Sequence, residues 1–206
     1  MATTIFDLID DGDLDGVRAL LARDPGSAAA RDGQGLSALM RSFYRGGGEV
    51  LVAIREADPP LDAWDRLLVG ESEGLPAPDA RSPDGFTPLH IATFAHNVAA
   101  VHALLAADAD PNELATAPFA AVTPLGTAAT FGANEIAAVL LDHDADTEKT
   151  SDHGNTPLHS AAANGNRALV ELLLSCGADP DATTADGRTP ADLAGDDEIR
   201  ALLSSS

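Results

Sequence analysis

The stretch DHGNTPLHSAAANGNRALVELLLSCGADPDAT, residues 152–183, decides the fold. It opens on a turn in which Gly154 supplies the positive φ that a tight reversal needs. Thr156 follows as a helix N-cap, a residue whose hydroxyl accepts from an orphan backbone N–H. Pro157 suits the next position, where its missing donor costs nothing and its fixed φ fits the first turn. Leu158 begins a buried face. A run of small residues, a break and a second apolar segment, ALVELLL (168–174), complete a helical hairpin. Gly177 then suits the end of that second helix, with Pro180 just beyond it.

The opening phrase TPLH (156–159) returns outward from this stretch as TPLH at 87–90, TPLG at 123–126 and TPAD at 189–192. The four threonines are spaced 36, 33 and 33 residues apart. A period near 33 built from helical hairpins means stacked units rather than a compact enzyme core. Gly-containing turns precede three of the threonines, in PDGFT, DHGNT and ADGRT. Second helices are predicted at VAAVHALLA (98–106) and IAAVLLD (136–142) as well. The fold class is therefore all-α, a solenoid of helix-turn-helix units.

Phrase, period and helix pair together resemble the ankyrin repeat, most completely over 152–183. The resemblance is to a bacterial- or archaeal-type member, and a high-salt or high-GC source would favour the Asp, Ala and Arg seen here over Lys. The resemblance divides a single domain, 1–206, into about seven units. An amino-terminal cap occupies 1–34, with the amphipathic pair TIFDLIDDGDLDGVRALLARDP at 4–25. A degraded repeat follows at 35–58, in which Ser37, Ala38 and Met40 replace Thr, Pro and His, with its second helix near 49–57. A truncated, cap-like unit spans 59–82, its second helix cut short by Gly74, Pro76 and Pro78. Repeats at 83–119, 120–151 and 152–184 precede a carboxy-terminal cap at 185–206. Few apolar residues in 58–84 tie the amino-terminal units to the rest, so local opening is expected there. The resemblance also implies that His90 and His159 hydrogen-bond within and between repeats, a structural role.

Charge excludes several partners. The chain carries 33 acids against 12 bases, a net charge of −21, and Lys149 is its sole lysine. Nine acids and no base lie between Arg81 and Lys149. Such a surface repels nucleic-acid phosphates and anionic lipid headgroups. It either steers a basic partner inward or reflects Asp at turns and caps that keeps the protein soluble; both readings stand. No apolar run reaches membrane-spanning length. MATTIFDLIDDGD lacks the basic segment and apolar core of a signal peptide, and Cys176 is the only cysteine. A cytoplasmic monomer is expected, with neither membrane nor nucleic acid as partner.

Patterns that mimic chemistry have simpler explanations. Asp11, Asp13 and Asp15 match the start of an EF-hand loop, but its twelfth position is Ala22 rather than Glu. The acids of 142–148 fall in an inter-repeat loop. No HxxxH or HExxH spacing appears, and Cys176 has apolar or acidic neighbours that would not lower its pKa. Gly46, Gly47 and Gly48 lack the Lys and Ser/Thr of a phosphate loop. The expectation is a non-enzyme with no cofactor and no metal.

What remains is binding to another protein, possible targets being a basic or amphipathic segment. The alternatives are an accessory or regulatory subunit of an enzyme and, more remotely, a hydrolase built from acids and histidines. The resemblance implies contact through a concave surface of turn tips and first-helix ends. On that surface it places Asp84, Phe86, Asp152, His153 and Asn155 at turn tips. Tyr44, Phe94, Phe131 and Asn164 fall at first-helix ends. Four of only eight aromatics therefore fall in one candidate strip flanked by acid, and aromatics make good anchors. Three extra residues and Ala121 in place of Gly mean that the turn at 117–123 is rebuilt, which affects where Phe119 and Val122 point.

Overall fold

The computed structural model describes residues 3–117 and 121–204. Its α-helices are α1 (Ile5–Asp10), α2 (Leu14–Arg23), α3 (Ala38–Tyr44), α4 (Gly48–Glu56), α5 (Ala63–Leu68), α6 (Pro88–Phe94) and α7 (Val98–Ala106). They continue as α8 (Pro124–Phe131), α9 (Asn134–Asp142), α10 (Pro157–Ala163), α11 (Arg167–Ser175), α12 (Pro190–Leu193) and α13 (Asp197–Ser204). Among the described residues an isolated bridge pairs Arg31 with Ser37. The fold is an all-α solenoid.

The repeated phrase works as its chemistry dictates. Thr87, Thr123, Thr156 and Thr189 each sit in extended backbone and accept, through the side chain, from the backbone N–H three residues on. Ser37 does the same for Met40 at 3.0 Å, and Asp62 caps α5. Asp13, which sequence alone offers as half a calcium loop, is the N-cap of α2 and accepts from Gly16 N at 2.9 Å.

First helices form one row, α1, α3, α5, α6, α8, α10 and α12, each packed on the next. Second helices form a row behind it, α2 with α4, then α7, α9 and α11. The second row is broken because no helix follows α5 before α6. Asn97 partly mends the gap, donating to the carbonyls of Leu67 at 3.2 Å and Glu71 at 2.8 Å. Ser37 Oγ also donates to the buried Asp65 carboxylate, linking α3 to α5.

The core divides just before that gap, at α3. Ile5, Ile9, Val17, Leu39 and Ile54 form a small amino-terminal cluster. Met40, Leu67 and Phe86 belong to a larger one that runs through Leu104, Leu125, Leu140 and Leu173 to Leu203. Helix α3 contributes to both, with Leu39 on one side and Met40 on the other. Backbone amides of 58–84 are therefore expected to exchange with deuterium about ten times faster or more than those of 156–175. Equal protection in a hydrogen-exchange experiment would refute this weak joint.

Two departures from the repeat have visible costs. His96 stands where the family has Gly and takes φ 53°, a left-handed conformation that costs a non-glycine residue about 1 kcal/mol. In the fourth hairpin the turn closes from Ala115 N to Val122 O, whereas its neighbours close from Ser82 N to Phe86 O and from Ser151 N to Asn155 O. The additional residues thus lie inside the turn. Phe119 is among the residues outside those described.

Candidate partner-binding groove

The candidate site is assembled from the ends of three first helices. Tyr44 closes α3, Phe94 closes α6 and Phe131 closes α8. Their rings form a continuous edge-to-face series, with centroids 6.4 Å apart from Tyr44 to Phe94 and 4.7 Å from Phe94 to Phe131. Such geometry matches the quadrupoles of neighbouring rings. Phe131, at the end of the series, is 51% exposed. Tyr44 and Phe94 are half-buried.

Phe86 corrects the sequence expectation. It is 1% exposed and lies within the larger core cluster, 5.3 Å from the Phe94 ring and 6.3 Å from Tyr44. The position before the capping residue follows side-chain chemistry: Leu36 and Phe86 are buried, Val122 and Asn155 half-buried, and Arg188 exposed. An apolar side chain there turns under the helix row. Asp84 needs a second correction. Its Oδ1 accepts from Ser82 Oγ at 2.5 Å inside the turn, and its Oδ2 is buried, so it is not a rim acid. Burial, and then the nearby Asp84 charge, raises the Tyr44 phenol above its ordinary range.

A groove of about 470 Å³ opens against these rings. Beyond the aromatics it is lined by Val122, Gly126, Thr127, Lys149, Asp152, His153, Asn155 and Ser160. Its lining includes one departure from the repeated phrase, at the third residue of α8. His90 accepts from the Thr87 hydroxyl at Nδ1, 2.7 Å away, and donates from Nε2 to the Val122 carbonyl of the next turn at 2.7 Å. His159 repeats the arrangement, with Nδ1 2.9 Å from Thr156 Oγ1 and Nε2 3.0 Å from the Arg188 carbonyl. A carbonyl only accepts, so Nε2 carries the proton in both rings. Gly126 occupies the same place in α8 and has no side chain with which to span to Asn155. A Cβ added there would lie 2.9 Å from Val122 Cγ2. Val122 therefore fills part of the place that the imidazole takes in the other two repeats, and Gly126 itself forms part of the groove lining.

Burial first, and Arg81 second, push the His90 imidazole down to about 4, while its bond to the Val122 carbonyl opposes them. His90 is therefore neutral at physiological pH and serves as a structural rung. Within the groove lining only Lys149, Asp152 and His153 can carry charge. Asp152 and His153 face each other at 2.8 Å, both exposed. Asn164 is exposed, but its amide already donates to the carbonyls of Ala129 at 3.2 Å and Thr130 at 2.9 Å, closing the end of α8. The groove lining thus brings together Tyr44, Phe94, Phe131, Asp152, His153 and Asn155, with the buried Phe86 at its floor, and leaves out Asp84 and Asn164. Sequence reading missed Gly126, Lys149 and Ser160 as groove residues. The signal for the first was available, since TPLG is the one interior phrase without His.

Among the described residues no three His, Cys, Asp or Glu side chains converge as a metal site, and no helix is long and apolar enough to cross a membrane. A sequence model of the family described as Ankyrin repeats (3 copies) matches residues 114–184, and that of a single Ankyrin repeat matches residues 84–115. A search of the curated proteins gives no match. Residues 84–184 thus belong to the ankyrin repeat family, whose repeats are generally protein–protein interaction modules and typically non-catalytic.

Proposed function

We propose that the chain is a non-catalytic module that binds another protein through the concave surface, with the groove beside Phe131 as the anchoring point. One observation carries this reading: a half-exposed Phe131, set edge-to-face against Phe94, borders an open groove of about 470 Å³. Large aromatic side chains in such settings dominate interface energetics. The favoured occupant is an amphipathic segment. Its apolar side seats in the groove, and basic residues outside it meet the acidic surface of a chain with net charge −21. The protein acts as a monomeric adaptor or inhibitor in the cytoplasm on this reading.

Phe131→Ala is expected to weaken capture of the partner about tenfold or more, with the helical circular dichroism unchanged. Capture is to be compared at low and high salt; loss at high salt supports the basic flanks. Undiminished capture by Phe131→Ala would remove the groove from the interface.

A further inference from the structure

Charge bookkeeping within the groove points to something more specific. Arginines are mostly neutralised in this chain: nine of them, from Arg31 to Arg200, lie within ion-pair distance of a carboxylate among the described residues. Lys149 is the only lysine, and the chain has 33 acids available to it. It nevertheless makes no ion pair among the described residues, and it is half-buried in the groove lining. The one acid of the lining, Asp152, is already engaged by His153 at 2.8 Å. Two neutral donors lie in the same lining: the Asn155 amide and the Ser160 hydroxyl, neither of which makes a side-chain hydrogen bond among the described residues. The groove therefore offers an aromatic surface, one unmatched cation and two unused donors, inside a strongly anionic protein.

We propose that the partner segment seated here carries a bulky apolar side chain next to a carboxylate, the side chain lying on Phe131 and Phe94 and the carboxylate pairing with Lys149. A carboxylate accepts from an ammonium and from neutral donors together, which matches what Lys149, Asn155 and Ser160 present. The negative field of the whole chain disfavours an acid anywhere else on the partner, so a single acid flanked by bases is the pattern that fits. The apolar side chain also meets Gly126, which lines the groove at the position where the neighbouring repeats carry an imidazole. The inference rests on the protein-binding reading and specifies which side chains that partner brings to the groove.

Three synthetic peptides test it, alike in their basic ends and central Phe, with Glu, Gln or Lys before the Phe. Binding is followed by fluorescence anisotropy and by backbone amide shifts of the uniformly labelled protein. The Glu peptide should bind roughly two- to fivefold more tightly than the Gln peptide, and the Lys peptide more weakly than either. Shifts should concentrate at Gly126, Phe131 and Lys149, and Lys149→Glu should reverse the order of the three peptides. Equal binding of all three, or preference for Lys, overturns the carboxylate assignment. If a fourth peptide with Ala for Phe then fails to bind, apolar docking in the groove survives that result. If no peptide binds, or the groove amides do not move, the carboxylate assignment and the docking reading fall together.

Discussion

Phe86→Ala should lower the free energy of unfolding by about 3–5 kcal/mol, the usual cost of deleting a buried phenyl ring. Phe131→Ala, at a half-exposed ring, should change it by about 1 kcal/mol or less. The contrast follows from 1% against 51% exposure in two residues that sequence reading places on the same surface. Phe86 also supports the joint where the second helix row is broken, packing near Leu67 and Met40 in the larger core cluster. A loss of this size is a large share of the about 5–15 kcal/mol that stabilises a typical domain. Urea unfolding of the two variants gives the answer. Equal losses would mean that Phe86 is not the buried support described here. If the larger loss is found for Phe86→Ala, a capture experiment with that variant reports unfolding rather than contact.

Acid should undo the His90 rung. Its folded-state pKa of about 4 lies below the ordinary 6.5, so the unfolded chain binds the extra proton between these values. Stability therefore holds above pH 6.5 and falls as pH drops through the window, by about 3 kcal/mol in all. His90→Gln should be less stable than wild type at neutral pH and flat through that window. The depressed carboxylates, Asp7, Asp186 and Asp192, act lower down: their contributions hold above 3.8 and are lost beneath it. Asp65, raised chiefly by burial, opposes the His90 trend just above 3.8, and the comparison with His90→Gln cancels it. Parallel pH profiles for the two proteins would show that His90 does not titrate as a buried neutral group.

Helices and caps were legible because local chemistry determines them. Thr before Pro, and Gly at the turn, act through their own backbone, and VAAVHALLA forms α7 as Val98–Ala106. The aromatic series was legible in part. Tyr44, Phe94 and Phe131 meet because repeats place successive helix ends side by side. Phe86 escaped because its position tolerates either orientation, and only packing beside the short unit decides between them. The groove escaped for a different reason. Its lining joins Gly126 and the ends of three first helices to the turn before α10, and these meet only when the repeats stack.

The same glycine has a consequence for how the array folds. In a linear stack, cooperativity comes from coupling between nearest neighbours. His90 and His159 each supply one hydrogen bond to that coupling, worth about 1 kcal/mol, and the interface after α8 lacks its equivalent. A ligand lying between Gly126 and Asn155 touches both neighbours and adds coupling where this bond is missing. Occupancy would then sharpen the unfolding transition of the whole array, beyond merely delaying it.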